Sequence, residues 1–311
     1  MFPGATADRT DAAYVVVGAP LDISTTFQPG TRFGPDRVRR FAESFEDYDH
    51  HTGRHFSELS VHDEGDLHAW GDAAAYVDFL AGTLGDVVAD GATPVLLGGE
   101  HTVTVAGVRA VDPDVFVCLD AHLDLRREFD GNEWSHATVT RHALETADHA
   151  VIVGARAGSE TEWERAREAD VTVVPPAAVA DRGADAVREA MRAATDPAAA
   201  TTYLSVDVDA ADPAVAPGTG TMEPGGLSAR DLRRIVRAVA PVADGVDAVE
   251  VNDRDDGQAA ALAGALVRDF VFAHADAADA VPLRENLRSP TGRSGLQRVC
   301  RSTCPTAPYR R

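Results

Sequence analysis

The chain has 311 residues, 44% of them hydrophobic, enough to bury a sizeable core within one large domain. Its formal charge of −21 comes from 50 acidic residues against 29 basic ones, and every basic residue is Arg. Such a charge disfavours nucleic acid and anionic membrane surfaces, and it attracts small cations. Residues 1–11 hold no apolar signal segment and no later stretch is long enough for a membrane span, so a soluble, cytoplasmic protein is expected.

In chain order, strands are expected at Tyr14–Val17, Pro94–Leu97, Val115–Leu119, Ala150–Val153, Val171–Val174, Tyr203–Val206 and Gly245–Val251. Their unbroken Val and Leu content suits strands covered on both faces. Helices are expected between them at Ala75–Asp90, Glu160–Glu168, Asp185–Ala194 and Ser228–Val239. In the last of these Ser228 can cap, and Leu232, Ile235, Val236 and Val239 share one face. Alternating strands and helices predict an α/β fold of three α/β/α layers around a mostly parallel central sheet, with ligands bound beyond the carboxyl ends of the strands.

Residues 1–280 are expected to form that domain, and 281–311 a disordered tail. The tail carries seven Arg against the single acid Glu285, with Pro290, Gly292, Gly295, Pro305 and Pro308 discouraging regular structure. Cys118, Cys300 and Cys304 make no paired framework, so a disulfide-built secreted fold is not expected, and Cys118 is expected to pack as a small hydrophobe. His50, His51, His55, His62 and His68 form a histidine-rich region, read as a surface loop near the pocket entrance. The Lys-free, Asp-rich composition fits a protein working in concentrated salt, which screens self-repulsion; codon bias toward Arg and Ala explains it equally. A melting series from low to molar salt separates the two, since stability independent of salt eliminates the first.

The chemistry concentrates at strand ends. Asp120, His122 and Asp124 follow Val115–Leu119, Asp207 and Asp209 follow Tyr203–Val206, and His101 follows Pro94–Leu97 after Gly98, Gly99 and Glu100. Carboxylates packed this closely repel one another unless cations neutralise them. Four carboxylates with two imidazoles and no thiolate make a hard donor set, better suited to Mn²⁺ than to a structural zinc site. Gly98 and Gly99 are not a phosphate loop, since no Lys follows them.

These stretches resemble the three signatures of the ureohydrolase family, which includes arginases and agmatinases. The longest signature is matched by Ser205, Asp207, Asp209, Pro213, Pro217, Gly218 and Gly226. The segment from Phe27 to Pro35 is similar to the agmatinase-type entry to the fold, while Glu100 and Thr102 stand where many members have Asp and Ser. The resemblance implies an arginase-like single domain and two Mn²⁺ per subunit, held by His101, Asp120, His122, Asp124, Asp207 and Asp209, with Asp120 and Asp207 bridging. Two adjacent cations make a water acidic enough to attack a guanidinium carbon.

The resemblance further implies a proton shuttle at His136, in the agmatinase-like stretch Asn132–Val139, with Asn132 and Ser135 beside the substrate. Glu250 would accept a paired hydrogen bond from the guanidinium. After Glu250 the chain departs from its relatives in the acidic loop Asp253–Gly257, which bears on recognition of the substrate's far end. The expected activity is release of urea from a linear guanidino compound, agmatine giving putrescine, in a homotrimer or homohexamer. The alternatives are an arginase, guanidinobutyrase, aminopropylagmatine ureohydrolase or formiminoglutamase, or a metal-binding scaffold without catalysis.

Overall fold

The computed structural model describes residues 1–197 and 199–280; the Arg-rich tail, with Cys300 and Cys304, lies outside the described residues. The elements in chain order are β1 (Tyr14–Ala19), α1 (Gly34–Ala42), β2 (Tyr48–Asp49), β3 (Arg54–His55), β4 (Val61–Asp66), α2 (Ala73–Ala89), β5 (Thr93–Gly98), α3 (Thr104–Val111) and β6 (Val115–Leu119). They continue with α4 (Val139–Ala143), β7 (His149–Val153), α5 (Glu160–Arg165), β8 (Val171–Val174), α6 (Pro176–Arg182), α7 (Ala184–Ala194), β9 (Thr202–Asp207), α8 (Ala229–Val239), β10 (Gly245–Val249) and α9 (Gln258–Ala280).

Eight strands form one sheet in the order β4-β1-β5-β10-β9-β6-β7-β8, every neighbouring pair parallel. Side chains alternate between its faces, as the twofold period of a strand requires. Val16, Val95, Leu97, Val117, Leu204 and Ala248 pack against α1, α7, α8 and α9. Val15, Val17, Leu96, Phe116, Tyr203 and Val249 pack against α2, α3 and α4 on the other side. The three layers follow from that alternation, and the α/β/α fold around a parallel central sheet is the one expected.

All seven expected strands are present. The eighth, β4, was not expected: it is an edge strand of sequence Val-His-Asp-Glu-Gly-Asp, in which only Val61 and Asp63 are buried. Ser228 caps α8 by accepting from the Asp231 N–H. Glu160–Glu168 shortens to the six residues of α5, whose capping box pairs Ser159 with Glu162. Three of the clustered histidines are not at the pocket entrance. His50, His51 and His55 belong to the β2–β3 hairpin, where Arg54 meets Asp276 and Asp279 late in α9 and Asp49 meets Arg237 late in α8. Those helices run antiparallel to the strands, so the hairpin sits at the amino end of the sheet.

Register explains why the acidic motifs meet. Leu119 pairs with Val206, which sets Asp120 beside Asp207, and Asp207 pairs with Val249, which brings Glu250 to the same edge. The chain leaves β6 toward β7 but leaves β9 toward β10, in the opposite direction. Such a reversal opens a crevice at the carboxyl ends of the strands. The floor is tight: a Cβ at Gly99 would lie 2.0 Å from the Leu21 carbonyl oxygen, so the turn after β5 admits only glycine at that position.

Candidate metal centre

The four central strands β5, β10, β9 and β6 deliver the site. His101 opens a single 3₁₀ turn between β5 and α3 and is 1% exposed. Its Nδ1 faces Asp124 Oδ2 at 3.0 Å, Asp120 Oδ2 at 3.2 Å and Asp207 Oδ2 at 3.4 Å. On the other side of Asp120, His122 Nδ1 lies 3.5 Å from Asp120 Oδ1 and 3.0 Å from Asp209 Oδ2. Asp120 thus turns one oxygen toward each imidazole, the disposition required of a carboxylate shared by two cations.

The loops are tied before any ion arrives. Asp120 Oδ1 accepts from the His122 N–H at 2.6 Å, Asp207 Oδ1 from the Asp209 N–H at 2.8 Å, and Asp209 Oδ1 from the Ala121 N–H at 3.0 Å. Behind His101, its Nε2 lies 3.2 Å from Ser205 Oγ, which donates to Asp247 Oδ1 at 2.6 Å. With that hydroxyl hydrogen committed to Asp247, Ser205 can only accept from His101, which leaves the Nδ1 lone pair facing the carboxylates. Arg156, which no motif marked, donates to the carbonyls of Asp209, Ala211 and Glu223 and so joins the two halves of the β9–α8 loop.

The donor set fits divalent cations. His101 Nδ1 is buried and has no hydrogen-bond partner, although three carboxylate oxygens surround it. A ring of lone pairs of this kind lacks only positive charge. The same need shows in the acidities. Burial, then the charge of Asp120, pushes Asp124 up to about 7, and burial with Asp209 and Asp120 raises Asp207 well above the carboxylate range. Burial opposes charge on His101, yet Cys118, Asp120 and Asp124 outweigh it and raise the imidazole, as Asp209 and Asp120 do for His122. Asp120 stays below its ordinary range despite burial, because both histidines face it. Cys118 is fully buried, as expected, but its Sγ also lies 3.7 Å from His101 Nε2, and burial pushes the thiol up, away from the thiolate that would compete as a ligand.

A pH dependence follows. Asp124 and Asp207 rise above the 3.8 of an unfolded chain, and the two histidines above 6.5, so the metal-free fold binds more protons than the unfolded chain from mildly acid pH upward. Its stability therefore falls as pH rises through that window. A metal ion replaces those protons, so the rise in Tm on adding Mn²⁺ is expected to grow between about pH 5 and about pH 8. A rise that stays constant or shrinks over that range in paired thermal melts is the contrary result.

A cavity of about 340 Å³ opens over the cluster, lined among others by Thr26, His122, Asp124, Arg126, His136 and Glu223. His136 reaches its wall from a 3₁₀ turn after β6, with Nδ1 3.3 Å from Ser24 Oγ and Nε2 3.4 Å from Thr26 Oγ1. Burial, then the positive charge of His101 and His122, holds His136 down at about 4. Glu250 stands behind the wall, where its Oε1 accepts from the His101 N–H at 2.8 Å, and burial raises it to about 8. Asp124 and Glu250 both adopt left-handed backbone, φ 51° and 63°, a strain that concentrates at functional sites.

Asn132 and Ser135 are not brought to the cavity. The Asn132 amide bonds both backbone polar groups of Trp134, and Ser135 Oγ caps the His136 turn by accepting from the Ala137 N–H. Within the acidic loop, Asp255 is occupied elsewhere: it accepts from Arg37 and from the N–H groups of Gly257 and Ala259 at the start of α9. None of the described helices is long and apolar enough to cross a membrane.

A family profile described as the arginase family matches residues 12–273. An N(1)-aminopropylagmatine ureohydrolase of Thermococcus kodakarensis is 33% identical over 259 residues, 82% of this chain and 88% of that protein. An agmatinase of Pyrococcus horikoshii is 34% identical over 71% of this chain and 77% of its own length. The crystal structure of agmatine ureohydrolase of Thermoplasma volcanium superposes with a TM-score of 0.84 and 31% identity, covering 90% of this chain and 95% of that one.

Proposed function

The chain belongs to the arginase family and is a hydrolase acting on the C–N bonds of linear amidines, and from that premise we propose that it hydrolyses agmatine to putrescine and urea with two Mn²⁺ ions. The observation that carries the proposal is convergence: six ligand-type side chains from three loops close around His101 Nδ1 and Asp120, and His136 shares the cavity above them. In this reading His101 and Asp124 would hold one ion, His122 and Asp209 the other, and Asp120 and Asp207 would be shared between them. When bound, such a pair supplies a water acidic enough to act as a nucleophile at neutral pH.

The remaining work falls to the chain's own groups. Glu250, raised by burial, gains most by ionising against a cation, and its Oε2 lies against the buried Gly220 turn, 3.3 Å from where a Cβ there would sit. A guanidinium reaching its carboxylate would ionise it and be oriented by it. His136, neutral at the cavity wall, would take a proton from the water side and pass it to the departing amine, which cannot leave as an anion. The choice of agmatine rests on charge. With Asp124 assigned to an ion and Arg126 paired with Glu162 at 3.2 Å, the wall keeps the further carboxylate of Glu223. A substrate cationic at both ends meets this acid excess better than one ending in a carboxylate.

Urea release measured with Mn²⁺ on agmatine, aminopropylagmatine, arginine and guanidinobutyrate tests the choice. Turnover of agmatine, with the two carboxylated substrates untouched, is expected. Turnover confined to a carboxylated substrate overturns the agmatine assignment while leaving the reaction class in place.

A further inference from the structure

We propose that Glu100 and Ser24 are positioning residues for His136, a hydrogen-bonded chain that fixes which ring nitrogen carries the proton and turns the other toward the cavity. The proposal rests on reading His136 as the proton donor. Glu100 is fully buried, and its carboxylate takes four donors: the N–H groups of Ile23 and Ser24 at 2.7 and 2.6 Å, the Ser24 hydroxyl at 2.8 Å and the Thr102 hydroxyl at 2.9 Å. The backbone repeats the tie, since the Glu100 N–H donates to the Leu21 carbonyl at 2.7 Å. The loop after β1 is thereby fastened to the turn that carries His101.

Donor accounting then decides the tautomer. A serine hydroxyl has one hydrogen and two lone pairs. Ser24 gives its hydrogen to Glu100 Oε1, so it can only accept from its other neighbours. Those are the His136 backbone N–H at 3.0 Å and His136 Nδ1 at 3.3 Å. The neutral ring must therefore carry its hydrogen on Nδ1, leaving Nε2 with its lone pair beside Thr26 Oγ1 at 3.4 Å, on the wall shared with His122 and Asp124. Nε2 is then the atom that takes a proton from the water side and passes it to the amine. Without the Glu100 acceptor, the Ser24 hydroxyl is free to reverse and select the opposite tautomer.

The test is a double-mutant cycle on the metal-loaded full chain, with metal content measured for every variant. Ser24→Ala is expected to lower kcat on agmatine by about 10- to 10²-fold, the cost of a misplaced catalytic group, with KM nearly unchanged. Ser24→Thr, which keeps the hydroxyl, restores most of kcat. In a His136→Ala background, Ser24→Ala costs nothing further, because the residue acts only through the ring. Glu100→Gln, whose amide must face some of the four donors, reproduces the Ser24→Ala loss, and its metal content separates that effect from any disturbance of His101. An undiminished loss from Ser24→Ala in the His136→Ala background, or full activity of Ser24→Ala alone, overturns the proposal. Full activity of His136→Ala overturns instead the assignment of His136 as proton donor.

Discussion

Asp120→Asn is expected to lose tightly held metal and to lower urea release by about 10³-fold or more, because the acidification of water by adjacent cations is lost with them. The substitution keeps size and shape, so the cause is chemical. Asp120 turns Oδ1 toward His122 and Oδ2 toward His101. An asparagine keeps one oxygen, points an N–H₂ group at the other neighbour and removes the negative charge both ion sites share. In the metal-free variant the repulsion that raises Asp124 and Asp207 is relieved while the pairing of Asp120 with both histidines is lost, so a melting curve beside the parent's checks that the variant is folded. Metal analysis beside the urea assay checks this. A variant that keeps both its metal and its rate would show that Asp120 does not bridge.

His136→Ala is expected to behave differently, losing about 10²- to 10⁴-fold in kcat while KM and metal content hold. The ring bonds to Ser24 and Thr26, and neither is in the ligand set. Its removal therefore takes away a proton carrier at the cavity wall and leaves the ion sites intact. Added imidazole should restore part of the rate by occupying the space left, and a loss expressed mainly in KM would reassign His136 to substrate binding. Together the two variants separate making the nucleophile from protonating the leaving amine.

Much of this architecture is legible in the sequence for a simple physical reason. Strands buried on both faces, such as Val115–Leu119, read as unbroken apolar runs, and each ligand lies in the loop just after such a run, as Asp120 follows Leu119. β4 escapes that logic because an edge strand can carry His62, Asp63 and Glu64. α9 escapes it because Ala259, Ala260, Ala263, Gly264, Leu266 and Val267 are all buried, so no single apolar stripe marks it as amphipathic.

Residues that act through space are harder to find. Arg156 and Asp247 matter because of carbonyls and hydroxyls 42 or more positions away, and nothing in their neighbours announces it. The histidine-rich hairpin is the converse case: composition shows that the rings cluster, but only topology shows that they lie at the amino end of the sheet. Asn132 and Ser135 bond within their own loop, where their value is in shaping the turn that presents His136.

In the proposed function, six side chains at the carboxyl ends of β5, β6 and β9 hold a dinuclear centre that drives guanidino hydrolysis. Titrating metal-stripped protein with Mn²⁺ while following urea release from agmatine tests it most directly. Activity should rise to a plateau at about two Mn²⁺ per chain. No urea at saturating Mn²⁺ from any guanidino substrate, in protein that binds the metal, would contradict it and leave a metal-binding protein without this chemistry.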